Sequence, residues 1–145
     1  MKKVEIYTDG ACSFNPGPGG WAAILIYKGV EKIISGNAKE TTNNIMELYA
    51  VVKALSALKE KCLVKLYSDS AYVVNSVTEG WLESWVKNGF KTADRKDVKN
   101  VDLWKELHEL LKKHKVEFIK VKGHADNANN NRCDKIAREE ISKII

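Results

Sequence analysis

Val4-Glu5-Ile6-Tyr7-Thr8-Asp9 is echoed later in the chain by Val64-Lys65-Leu66-Tyr67-Ser68-Asp69. Both stretches are rich in β-branched and aromatic residues, and both read as strands. Each ends on an aspartate. In α/β sheets, ligand sites gather at the carboxyl ends of strands, where the order of connections switches. If the two strands are parallel neighbours, their backbones lie about 4.8 Å apart. Two carboxylates that close repel, unless one takes a proton or a cation sits between them. A single strand-end aspartate can equally cap the turn that follows. Matching positions on two strands weaken that reading. The likeness is local and does not make a repeat.

The rest of the chain arranges itself around these two strands. Residues 10–20 hold both prolines and read as a loop, with the run Asn15-Pro16-Gly17-Pro18-Gly19-Gly20. Residues 21–27 form a second strand, Lys28-Gly29 a tight turn and residues 30–36 a third strand, an antiparallel meander. Thr41-Thr42-Asn43-Asn44 supplies helix-capping chemistry. Leu48, Val51, Val52, Leu55 and Leu58 then follow at helical spacing. After the strand at 63–68 come a helix over 70–80 and a short one over 81–87. A polar, basic loop occupies 89–99, and a helix 101–111. A fifth strand covers 116–121, an asparagine-crowded loop 123–131, and a last helix starts at about Arg132. The order βββαβααβα implies an α/β fold: a mixed five-stranded sheet with helices on both faces, in one domain spanning 1–145.

Length and composition narrow the function classes. The chain has 145 residues, 44% apolar and 30% charged, a globular balance with enough chain for a sizeable core. No apolar run approaches the ~20 residues of a membrane span. Met1-Lys2-Lys3-Val4-Glu5-Ile6 lacks the unbroken apolar stretch of a signal peptide. A cytoplasmic location without a membrane partner is therefore expected. Cys12, Cys62 and Cys133 show no C-x-x-C spacing and suit a reducing compartment. His108, His114 and His124 do not pair with them at zinc-site spacing. The net charge of +5 suits a polyanionic partner. No large apolar stripe is left over, so a monomer is expected.

Against that basic background, two further acids stand where solvation does not explain them. Glu47 aligns with Val51, Ala54 and Leu58, at the edge of the stripe that should face the sheet. A glutamate almost never sits there unpaired. A first-turn glutamate complementing the helix dipole is the alternative, but it does not explain the facing. Asp134 shares a face with Ala137, Ile141 and Ile145, and can also be read as a first-turn acid on a solvated flank. Asp9, Glu47, Asp69 and Asp134 could converge on one edge of the sheet. Such an all-oxygen set suits Mg²⁺ or Mn²⁺.

At these residues the sequence resembles the type 1 ribonuclease H family. The likeness covers nearly the whole chain. It runs through Tyr7-Thr8-Asp9-Gly10-Ala11-Cys12, Asn15-Pro16-Gly17-Pro18-Gly19-Gly20-Trp21, Thr41-Thr42-Asn43-Asn44 and Met46-Glu47-Leu48. It continues in Ser68-Asp69-Ser70, Lys91-Thr92-Ala93-Asp94, Lys99-Asn100-Val101-Asp102-Leu103-Trp104, Val121-Lys122-Gly123-His124-Ala125 and Asn130-Asn131-Arg132-Cys133-Asp134. Each motif alone is weak; all of them in order are a strong signal.

The resemblance implies an endonuclease that hydrolyses the RNA strand of RNA/DNA hybrids, leaving 5′-phosphate and 3′-hydroxyl ends. Asp9, Glu47, Asp69 and Asp134 would hold two Mg²⁺ ions, with Mn²⁺ as the other candidate. One ion would serve the attacking water and the other the leaving 3′ oxygen, in an in-line displacement. His124 would help product or proton departure, a task its titration range fits. Cys12, Asn15, Asn43, Asn44 and Glu47 would contact the RNA strand, whose 2′-hydroxyls mark it as RNA. Thr42 would hold a DNA phosphate, and Trp85 the DNA sugars. Residues 81–99 resemble the family's basic protrusion, with Trp81, Lys87, Lys91, Lys96 and Lys99 as further contacts. Trp81 and Phe90 also fit a small aromatic core.

Three positions depart from the family pattern. Ile45 stands where many bacterial members carry Arg, Ala71 where a Gln is common, and Asn131 where an acid is common. With Glu83 and Asp97 diluting the protrusion, these point to weaker substrate affinity, not lost chemistry. The alternatives are a catalytically silent hybrid-binding module on the same fold and a related nuclease acting on DNA.

Overall fold

The computed structural model describes residues 1–122 and 127–145. The parallel pair inferred from the echo is present: β1 (Lys2–Cys12) runs beside β4 (Cys62–Ser68), with Ile6 opposite Leu66 and Tyr7 opposite Tyr67. Continued past its last paired residues, that register sets Asp9 beside Asp69. β2 (Gly17–Tyr27) is antiparallel to β1, and β3 (Val30–Thr41) is antiparallel to β2. β5 (Lys115–Lys120) is parallel to β4. The sheet order is β3-β2-β1-β4-β5, the mixed five-stranded arrangement expected.

Helices cover both faces. On one face, α1 (Asn43–Ser56) and α4 (Val101–Lys113) bury Leu48, Val51, Leu55, Trp104 and Leu107 against Val4, Ile6, Val64 and Leu66. On the other, α5 (Ala128–Ser142) sets Cys133 and Ala137 against Tyr7, Ala22 and Ile24. Two shorter helices, α2 (Ala71–Thr78) and α3 (Trp81–Lys87), stand between β4 and α4. Gly80, in the left-handed region at φ 80°, separates them. Counted singly, the helices make the order βββαβαααβα.

The first three strands are longer than residue type suggests. Residues 10–20 read as a loop because of their glycines, yet β1 continues to Cys12 and β2 begins at Gly17. Two of those glycines answer close approach. A Cβ on Gly20 would sit 2.1 Å from the Ala137 carbonyl oxygen, and one on Gly19 would sit 2.3 Å from Thr41 Cγ2. Glycine here lets α5 and β3 reach the sheet.

The two helices that carry Glu47 and Asp134 are capped well before those acids. Thr42 caps α1 through Oγ1, which accepts from the Ile45 N–H at 3.1 Å. Asn127 caps α5, its Oδ1 accepting from the Asn129 and Asn130 N–H groups at 3.1 Å each. The asparagine-rich stretch read as loop is therefore a cap followed by the first turn. Ile145 lies beyond α5 and is exposed, outside the face it was expected to share with Asp134.

Candidate active site

Asp9 lies within β1 two residues beyond its pairing with β4, and Asp69 follows β4 directly. Glu47 sits in the second turn of α1, and Asp134 well inside α5; neither helix has an acid in its first turn. Helix-dipole compensation therefore explains neither residue. Glu47 reaches the strand ends because α1 packs almost on the backbone of β1. A Cβ on Gly10 would lie 2.5 Å from the Glu47 nitrogen.

Carboxylate oxygens of Asp9, Glu47 and Asp69 lie within 4.8 Å of one another. Asp134 borders the same cleft and pairs with Arg138 one turn on, at 2.7 Å. The cost of this crowding is visible in the acids' proton affinities. Burial, together with the charges of Asp69 and Asp134, pushes Asp9 up to about 7, although the Gly10 N–H donates to its Oδ1 at 2.9 Å. Burial and the Asp9 carboxylate hold Glu47 well above the usual glutamate range. Glu47 Oε1 is buried and has no hydrogen-bond partner among the described residues. Three oxygen donors, one of them buried and unsatisfied, fit a hard divalent cation, which would remove the mutual repulsion.

The cleft has a volume of about 520 Å³. Of the residues expected to touch substrate, Cys12, Asn43 and Asn44 line it beside the four acids. Asn15 is tied to its rim, with Oδ1 accepting from the Asn43 N–H at 3.1 Å. Thr42 shapes the same corner as the cap of α1. The fold brings Ser70, Ala71 and Tyr72 to the lining as well. Ser70 belongs to the Asp69 motif and Ala71 is the position where a Gln is common in the family; Tyr72 carries no such signal in the sequence. The Tyr72 hydroxyl accepts from Trp104 Nε1 at 2.9 Å and from Asn100 Nδ2 at 3.0 Å, tying α2 to α4.

Trp81, Trp85, Lys87, Lys91, Lys96 and Lys99 stand apart from the acids, on α3 and the segment after it. Phe90 is buried, as a small aromatic core requires, but Trp81 is 49% exposed. Trp85 is half-buried, edge-on to Trp104 with ring centroids 5.3 Å apart. The four lysines are exposed. Lys91 is held by Asp97 at 2.5 Å. His124 lies outside the described residues.

The ribonuclease H family model matches residues 1–142. The chain belongs to the ribonuclease H family. It is similar to the ribonuclease H of Acetivibrio thermocellus, 62% identical over 99% of this chain and 97% of that one. It is also similar to the ribonuclease H of Caldicellulosiruptor saccharolyticus, 57% identical over 99% of both chains. Among solved structures, LC9-RNase H1, a type 1 ribonuclease H with the type 2 active-site motif, superposes with a TM-score of 0.88 at 28% identity. That match covers all of this chain and 74% of the other. LC11-RNase H1 in complex with an RNA/DNA hybrid shares the fold, with a TM-score of 0.64 at 21% identity over 97% of each chain. In this ribonuclease H fold the carboxylate cleft lies at the carboxyl ends of β1 and β4, as the rule for α/β sheets requires.

Proposed function

We propose that the cleft is the catalytic centre of an endonuclease that hydrolyses the RNA strand of RNA/DNA hybrids, with Asp9, Glu47, Asp69 and Asp134 holding two Mg²⁺ ions. Mn²⁺ meets the same donor chemistry. The observation that carries this is the triad of acid oxygens within 4.8 Å, with Glu47 Oε1 buried and unsatisfied, in a chain of this family. The arrangement costs stability and has a purpose only with cations and a phosphodiester between the acids.

When bound, the ions supply Lewis acidity to the attacking water and to the leaving oxygen. The carboxylates fix where that chemistry happens. Asp9 and Asp69 are held by the strand register, and Glu47 by the packing of α1 on Gly10. Water attacks phosphorus, and the bond from phosphorus to the 3′ oxygen breaks. The phosphate remains on the 5′ end, and the 3′ oxygen leaves with a proton as a hydroxyl. His124 assists that departure in this reading. Asn15, Asn43, Asn44 and Cys12, grouped at the rim, read the minor groove and its 2′-hydroxyls. Thr42 and Trp85 hold the DNA strand, while Trp81, Lys87, Lys91, Lys96 and Lys99 add electrostatic grip. The protein acts as a monomer in the cytoplasm. No helix among the described residues is long and apolar enough to cross a membrane.

The test is cleavage of one labelled RNA strand, free, paired with RNA and paired with DNA, in Mg²⁺ and in chelator. Wild type and Asp69→Asn are compared. Metal-dependent cutting of the hybrid alone, abolished by Asp69→Asn, is the expected result. Tight hybrid binding with no cutting in Mg²⁺, or in Mn²⁺ put in its place, would establish the silent binding module instead. Faster cutting of duplex DNA would move the substrate to DNA.

A further inference from the structure

The sheet has a second functional-looking edge, at the opposite ends of the strands that carry the acids. Register places three lysines there in a row. Lys3 of β1 is level with Leu63 of β4, which is level with Lys115 of β5. On the other side, the pairing of Glu5 with Ile26, continued outward, brings Lys3 level with Lys28. The row Lys28–Lys3–Lys115 thus crosses β2, β1, β4 and β5, a span of about 14 Å at the usual strand spacing. All three side chains are exposed, and none makes an ion pair among the described residues. Lys65 is a step further along, level with Glu5 and Glu117. Lysines at the ends of α1 and α4 answer those helices' dipoles and are not needed here.

An aromatic surface accompanies the charge. The Nζ atoms of Lys2 and Lys28 lie 5.2 Å and 5.5 Å from the centroid of the Tyr27 ring. Tyr27, Lys3 and Lys28 line a hollow of about 610 Å³. Next to it, Lys3, Lys28, Lys65, Ile26, Leu63 and Tyr67 line another of about 440 Å³, with Glu5 as its acid, which accepts from the Tyr7 hydroxyl at 3.1 Å. The acid in the first hollow, Glu60, is already paired with Lys2. Cations beside flat apolar surface are how proteins hold single strands: ammonium groups track phosphates while bases lie on rings. An acidic peptide would use the lysines but leave the rings without a role.

We propose that this edge is a second nucleic-acid contact, which takes a single strand through Lys3, Lys28, Lys115 and Tyr27. It lies about 20 Å from Asp9, six strand residues away along β1. It is therefore separate from the catalytic cleft, and a single-stranded segment flanking a hybrid can engage it while the duplex lies at the acids. Neither the site nor its test depends on cleavage.

The experiment measures fluorescence anisotropy of a labelled ~12-nucleotide oligothymidylate in chelator, across a salt series. Wild type is compared with the Lys3→Glu, Lys28→Glu, Lys115→Glu triple variant. A Lys→Gln triple variant serves if charge reversal unfolds the protein, which thermal unfolding reports. The expected result is a loss of at least ~10-fold in affinity. The salt slope falls by about two units, at roughly 0.7 per lost phosphate contact on a single strand. Hydrolysis of a short blunt hybrid stays unchanged. Affinity and slope equal to wild type would overturn the proposal. So would loss of binding on neutralising Lys87, Lys91, Lys96 and Lys99 alone, or tighter binding of an oligoglutamate peptide than of the oligonucleotide.

Discussion

Glu47 shows how one residue trades stability for chemistry. Its Oε1 is buried without a hydrogen-bond partner among the described residues, and burial pushes Asp9 beside it up to about 7 from 3.8. An acid whose folded pKa is raised favours the fold at low pH, and that contribution is lost as pH rises from 3.8 to about 7. Glu47 is itself held well above the usual glutamate range, so the metal-free protein carries the full repulsion only where both acids are charged. Glu47→Gln should then raise the thermal midpoint in chelator at alkaline pH by a few degrees, roughly 1 kcal/mol, and leave it unmoved near pH 4. Saturating Mg²⁺ should reverse the order, because wild type gains more from the ion. The same variant should lose at least ~100-fold in hybrid cleavage, about 2.7 kcal/mol of barrier. A midpoint that does not depend on pH in this way would mean that the acids do not repel. His114 carries the opposite sign. Its Nδ1 accepts from the Cys62 N–H at 3.1 Å, its Nε2 is buried without a hydrogen-bond partner among the described residues, and burial lowers its pKa below 6.5. A base so shifted contributes stability above pH 6.5, and that is lost as pH falls through the window below. His114→Gln should therefore show a shallower fall in urea midpoint between pH 7 and pH 5 than wild type. An unchanged slope would remove His114 from the acid response.

At the scale of elements, sequence legibility depended on what the signal was made of. The strands that carry Asp9 and Asp69 were legible because side-chain type and alternation report burial directly. The acidic residue on the sheet-facing side of α1 was legible because a wrong residue on a periodic face is conspicuous. The beginnings of β2 and α5 were not. Glycine in Gly17–Gly20 looks like a turn, while its purpose is the approach of α5 and β3. Neither partner is visible from the stretch itself. Asn127 to Asn131 look like a loop, since asparagine favours caps and turns alike, and only the bonds from Asn129 and Asn130 to Asn127 separate cap from loop. Reading α5 late made Asp134 look like a first-turn acid. The placement of α5 can be tested through the glycine that admits it. Gly20→Ala puts a methyl 2.1 Å from the Ala137 carbonyl oxygen, which is backbone and cannot swing aside. The helix must move, at a cost of about 1–3 kcal/mol. Because Asp134 rides on that helix, activity should fall further than the loss of folded protein explains. A variant with wild-type midpoint and activity would show that α5 does not need this contact.

Across the whole molecule, charge is sorted by location more than by total. The excess of +5 coexists with four acids gathered in one cleft. A polyanionic substrate must therefore be drawn in by lysines placed away from the acids. The segment after α3 is one such place, and its pull is weaker than its lysine content suggests. Asp97 holds Lys91 at 2.5 Å, and the pair also joins the two arms of the loop through the bridge between residues 91 and 97. Removing the acid alone separates the two roles. Asp97→Asn keeps a side chain of the same shape in the loop and frees one ammonium for phosphate. Hybrid affinity at low salt should rise a few-fold, and the salt slope should steepen by about 0.9, the value of one added phosphate contact on a duplex. The thermal midpoint should move little, since an exposed ion pair contributes ~0–1 kcal/mol. Binding at high salt should converge on wild type, because the added term is purely electrostatic. A slope that stays constant while affinity falls would mean that the pair serves to shape the loop, and that Lys91 reaches substrate only when Asp97 holds it in place.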